Sequence, residues 1–107
     1  MLPDGRYSAW YKTAHAEGVG LIELKNERLT GRDTIIEYFG TYQQHGDRFS
    51  AKISTRRHTP GRPAMLGIDE LDLEFEGKSS RITAICTGRV LQLPDVPLEV
   101  VLVRIAD

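Results

Sequence analysis

Phe49-Ser50-Ala51-Lys52-Ile53-Ser54-Thr55-Arg56 alternates along its whole length: Phe49, Ala51, Ile53 and Thr55 on one side, Ser50, Lys52, Ser54 and Arg56 on the other. Successive side chains of an extended chain point to opposite faces, so this period of two describes a strand with one dry face and one wet face. The same reading extends toward the C-terminus. Leu71, Leu73 and Phe75 alternate with Asp72, Glu74 and Glu76, and Ile82, Ala84, Cys86 and Gly88 alternate with Thr83, Thr87 and Arg89, with Ile85 the exception. Residues 98–105 are apolar on both faces, and Glu99 and Arg104 are their only charges. Toward the N-terminus, residues 5–13, 18–25, 29–31 and 35–42 carry the aromatic and branched residues of strands, separated by polar turns at 25–28 and 44–47. Asp33 or Thr34 offers an alternative at one boundary, capping a single short helical turn over 34–37. About eight short strands joined by hairpin-length links predict an all-β, up-and-down antiparallel barrel, one domain over residues 1–107.

Composition agrees with one packed domain. A chain of 107 residues can bury roughly two-thirds of its unfolded surface, and hydrophobic and charged shares of 40% and 27% are ordinary globular values. A net charge of −1 provides no footprint for a phosphate backbone, so no direct nucleic-acid contact is expected. No apolar run approaches the ~20 residues that span a bilayer, and the first residues lack the basic-then-apolar layout of a signal peptide. With a single cysteine, Cys86, no internal disulfide can form. A cytoplasmic protein without membrane contact is the expectation.

The search for chemistry finds little to build a reaction on. His15, His45 and His58 fall in turns without metal-ligand spacing, and Cys86 sits mid-strand on an apolar face, where a thiol is inert. Gly18-Val19-Gly20 lacks the third glycine and the helix of a dinucleotide loop; Gly18 and Gly20 share a strand face where a neighbouring side chain can approach closely. No nucleophile, base and orienting group occur together, so neither catalytic residue, metal nor cofactor is assigned. The acidic residues Asp69, Glu70, Asp72, Glu74 and Glu76 read as a solvated outer face or as a docking patch for a basic partner. Arg57 and Arg104 carry inward parity if Phe49 and Leu98 do, and at one barrel mouth the two would hold a carboxylate ligand; at separate strand ends both would reach into water.

Asp4-Gly5-x-Tyr7, Gly18-x-Gly20, Leu29-x-Gly31-x-Asp33, Tyr38-x-Gly40, Phe49-x-Ala51 and Cys86-x-Gly88 follow one another in an order that resembles the GrlR-like family, small bacterial negative regulators of type III secretion genes. The resemblance runs over nearly the whole chain. It implies a lipocalin-like barrel with an apolar cavity, a loop plugging one end and a barrel-to-barrel homodimer. It also implies regulation by capture of a transcriptional activator rather than by contact with DNA. The family's best-known member recognises its activator through an acidic run before the fifth strand. The matching stretch here is Gln43-Gln44-His45-Gly46-Asp47-Arg48, whose one acid is Asp47. The candidate partner-binding residues are therefore Gln44, His45, Asp47 and Arg48.

The last strand adds a self-association surface. Leu98, Val100 and Leu102 alternate with Val101, Val103 and Ile105, and only one set can face the interior. Val101, Val103 and Ile105 are the candidate dimer residues, the alternative being that residues 58–67, with Met65 and Leu66, fold over them. The expected function is that of a non-enzymatic regulatory protein acting by protein contact, and the alternative is a carrier or sensor of a small apolar molecule.

Overall fold

The computed structural model describes residues 1–14, 16–58 and 70–106. Eight strands follow in order: β1 (Gly5–Lys12), β2 (Glu17–Lys25), β3 (Arg28–Arg32), β4 (Ile36–His45), β5 (Arg48–Arg57), β6 (Glu70–Ser79), β7 (Thr83–Val90) and β8 (Leu93–Ala106). Each pairs antiparallel with the next, and β8 returns to β1, so the sheet closes into an up-and-down barrel. Closure leaves no strand edge among the described strands.

Local chemistry explains the turns. Asn26 and Glu27 both take positive φ, 52° and 65°, as the two central residues of a type I′ hairpin must. Gly46 takes φ 62°, which allows β4 to run on to His45 and reverse over Gly46 and Asp47 alone. Gln44 and His45 thus belong to the strand rather than to the turn expected around them. The capped helical turn at 34–37 does not form. Instead the Asp33 carboxylate accepts the backbone N–H groups of Ile35 and Ile36 at 2.8 and 2.7 Å, and the chain enters β4 directly.

The alternation of β5 is the barrel's inside–outside pattern: Phe49, Ala51, Ile53 and Thr55 are buried. Tyr42, Phe49 and Phe75 stack across β4, β5 and β6 with centroids 5.6 and 6.4 Å apart. Leu98, Val100 and Leu102 of β8 face inward, so Val101, Val103 and Ile105 face outward. Ile82, read with the inward set, is exposed. The Ser80 hydroxyl accepts the N–H groups of Ile82 and Thr83, turning the chain so that β7 alternation starts at Thr83. The 58–67 segment read as a plug, His58 apart, and His15 and Asp69 lie outside the described residues.

Candidate functional site

Strand direction gives the barrel two distinct ends. The upper end carries the β1–β2, β3–β4, β5–β6 and β7–β8 connections; the lower carries the β2–β3, β4–β5 and β6–β7 turns together with Met1–Asp4. Arg57 closes β5 opposite Ile36 at the upper end. Arg104 lies opposite Tyr7 toward the lower end, where burial pushes the Tyr7 hydroxyl up and the Arg104 charge acts against that rise. The two arginines share inward parity but not a mouth, because β5 runs upward and β8 downward. Of the two readings of these arginines, separate strand ends is therefore the one that their positions fit.

Between the ends the lumen keeps an apolar void of about 70 Å³, bordered by Ile22, Ile53, Leu73, Val90 and Leu102 among others. At its upper rim stand Tyr11 and Tyr38, whose rings meet edge to face at 6.0 Å. Each ring lies over a glycine of β2. A methyl group at Gly18 would come within 2.8 Å of the Tyr11 ring, and one at Gly20 within 2.7 Å of Tyr38. Both tyrosine hydroxyls donate to Oδ2 of Asp33, and their own oxygens lie 2.8 Å apart. Burial raises the Asp33 pKa, but the two phenols and the two backbone N–H groups outweigh it and hold the carboxyl below its ordinary value. Burial, reinforced by the carboxylate, pushes Tyr11 up to about 12 and Tyr38 further still. His58 donates from Nε2 to the Asp33 carbonyl oxygen at 2.8 Å, locking the turn from outside. Nothing in the spacing of Tyr11, Asp33 and Tyr38 announced this cluster; the paired glycines were its one trace.

The outer wall divides into two unlike halves. Over β4–β7 it is mainly polar, Phe39 and Ile85 apart. Arg56 pairs with Glu37, the Ser54 hydroxyl and the Gln92 amide donate to Asp72 at 2.7 and 2.9 Å, and Arg89 lies 3.5 Å from Glu74. Asp72 and Glu74 of β6 thereby take part in cross-strand pairs. A shallow hollow of about 710 Å³ on this side is lined by Thr41, Lys52, Glu74, Glu76, Thr87 and Arg89 with the backbone between them.

Over β7, β8, β1 and β2 the wall is apolar. Ile85, Val101, Trp10 and Val19 stand side by side across the four strands, and Val103 and Leu21 flank Ser8 in a parallel row. Ile105 and Ile82 extend the stripe, and Ile85, Ile82, Leu21 and Trp10 are each more than half exposed. The Trp10 indole N–H is satisfied by the Ser8 hydroxyl at 3.1 Å, so the ring needs no polar partner from elsewhere. The β8 half of this stripe follows from alternation. The β1, β2 and β7 half was missed, because which outward residues fall level with Val101 and Val103 is decided by strand register.

At the lower end His45, Asp47 and Arg48 are exposed at the β4–β5 tip, whereas Gln44 turns inward and is occupied by the backbone of Leu2. Cys86 is buried, with its thiol pushed up to about 12 by burial. Among the described residues no three of His, Cys, Asp and Glu gather as metal ligands. Comparison with protein-family models and with curated proteins finds no match to this chain.

Proposed function

We propose that this protein acts without catalysis, through protein contact, as a homodimer joined along the apolar stripe of β7, β8, β1 and β2. The observation that carries this is the stripe itself. Five of its eight side chains are more than half exposed, and a contiguous apolar surface of this kind marks an interaction site. A two-fold contact covers such a surface with itself. Val101, Val103 and Ile105 lie within it, next to Trp10, whose size and aromatic character suit the centre of an interface. In this reading the exposed tip at His45, Asp47 and Arg48 stays free for a partner protein; a transcriptional activator is the partner that the resemblance to GrlR-like regulators proposes.

Sedimentation equilibrium tests the contact. A dimer is expected, and Val101→Glu with Val103→Glu should give a folded monomer. A clean 12.0 kDa species at every concentration of the unaltered chain removes the reading.

The lumen supports a second, narrower reading. A void of about 70 Å³ lies far below the roughly 300–1,000 Å³ of drug-sized ligand sites, so it suits an apolar molecule of a few heavy atoms and not a fatty acid. Xenon shifting the methyl resonances of Ile22, Ile53 and Leu102 would support this site, and unmoved resonances would discard it.

A further inference from the structure

The segment Met1–Asp4 is not a strand of the barrel, yet it is fastened to it. Gly5, at φ 153°, takes a backbone conformation that L side chains rarely adopt and turns the segment away from the line of β1. Leu2 then drops into the lower mouth, only 3% exposed, in one core cluster with Tyr7, Tyr42 and Phe49. Met1, Pro3 and Asp4 remain exposed.

The seat reads main chain. The Gln44 side-chain Oε1 accepts the Leu2 N–H at 2.7 Å, and its Nε2 donates to the Leu2 carbonyl at 2.8 Å. One amide therefore does for Leu2 what a neighbouring strand would do for a ladder residue. The Ser79 hydroxyl donates to the same Oε1 at 3.5 Å, helping to orient it. The Tyr7 hydroxyl donates to the Pro3 carbonyl at 2.5 Å, and the Tyr42 hydroxyl to the Asp4 carboxylate at 3.3 Å. What is recognised is thus an extended backbone, one branched aliphatic side chain, and a following residue used only through its carbonyl, which proline supplies. These are the terms on which protein surfaces bind extended peptides.

We propose that this seat is a peptide-binding site filled in cis by Met1–Asp4, and that a partner protein's extended segment, with a leucine-like residue followed by proline, takes it in trans. The proposal rests on the reading of the protein as one that works by protein contact, and it names what the partner presents. Gln44 adjoins His45 at the exposed β4–β5 tip, so seat and tip form one continuous surface. The cis segment competes at the effective concentration of a short tether, on the order of millimolar, which keeps the intact seat closed to weak ligands.

The test titrates the acetylated, amidated peptide Met-Leu-Pro-Asp-Gly into the full-length protein and follows it by NMR. Leu2→Glu evicts the cis segment, and this variant is expected to bind the peptide at least tenfold more tightly than the unaltered chain. Adding Gln44→Ala should abolish that gain. Should Leu2→Glu unfold the protein, the unaltered chain still decides: excess peptide should speed hydrogen exchange of the Leu2 amide that Gln44 protects. A folded Leu2→Glu protein that ignores the peptide, binding indifferent to Gln44→Ala, or unchanged Leu2 exchange each overturns the proposal. Peptide that splits dimers into monomers overturns the partner assignment too, because the seat then belongs to a second copy's segment. A dimer that ignores the peptide sinks this inference alone, and a monomer that binds it sinks the dimer reading alone.

Discussion

The two ends of the barrel are both closed by residues that tyrosines help to hold, yet the closures differ in kind. At the lower end an aliphatic side chain, Leu2, fills the mouth, and neutral amides and hydroxyls hold its backbone. At the upper end two phenols converge on one carboxylate, Asp33. The Leu2–Gln44 hydrogen bonds contain no titrating group, although burial raises Tyr7 and Tyr42 beside them. Closure around a carboxylate holds only while the acid is ionised and the phenols are not. One barrel therefore carries one end organised around a carboxylate and one organised around a buried aliphatic side chain.

Substitutions can break this contrast or sharpen it. The largest effect belongs to the aromatic stack above the lower seat. Phe49→Ala removes the ring that contacts both Tyr42 and Phe75, and should cost about 3–5 kcal/mol in a denaturant titration. An unchanged midpoint would mean that the lower closure does not depend on its packing. Asp33→Asn comes next, at about 2 kcal/mol near neutral pH, since it strips charge-assisted hydrogen bonds from two phenols and two backbone groups.

The same substitution separates the two ends by pH. The Asp33 pKa is lowered in the folded protein, so its contribution is complete above the ordinary carboxylate value of 3.8 and fades as the pH falls below it. Tyr11 is raised from 10.0 to about 12, so its contribution is complete below pH 10 and fades between pH 10 and 12. Asp33→Asn should flatten the acid limb of a stability–pH curve and only lessen the alkaline one, because burial of the phenols outlasts the carboxylate; an unchanged acid limb would place that titration elsewhere. Gln44→Ala has the smallest expected effect, about 1 kcal/mol, because the strap can recover hydrogen bonds from water. It should lower the curve near neutral pH, and an unchanged curve would show that Gln44 does not hold the Met1–Asp4 segment.

Much of the fold could be read in advance, for a reason visible in single segments. In the strands containing Phe49 and Phe75 the dry and wet faces alternate, and a period of two has one structural meaning when one face is buried. The turn residues Asn26 and Gly46 supplied the reversals. The misreading of Ile82 fell where a strand meets a turn, since it obeys the parity of β7 but lies before it; at Asp33 the strand reading holds over the helical alternative. The sites were harder. Tyr11, Asp33 and Tyr38 come from three segments, and no local pattern states that they will meet. Leu2 and Gln44 are 42 residues apart, and only the path of β4 along the lower mouth joins them.

Taken alone, the order of side chains along this chain determines that it forms about eight antiparallel strands, which side is dry in those that alternate, and where most of them reverse. Those are local consequences of pleating and of turn geometry, and they need no knowledge of distant neighbours. The register at which the strands meet belongs to the tertiary structure, and two outcomes follow from it. It sets Trp10 level with Val101 and Val19 as one outward stripe, and it gives one end of the lumen to a carboxylate and the other to a leucine. Each depends on which strand stands beside which and in what register, and that is settled by the packing of the whole barrel.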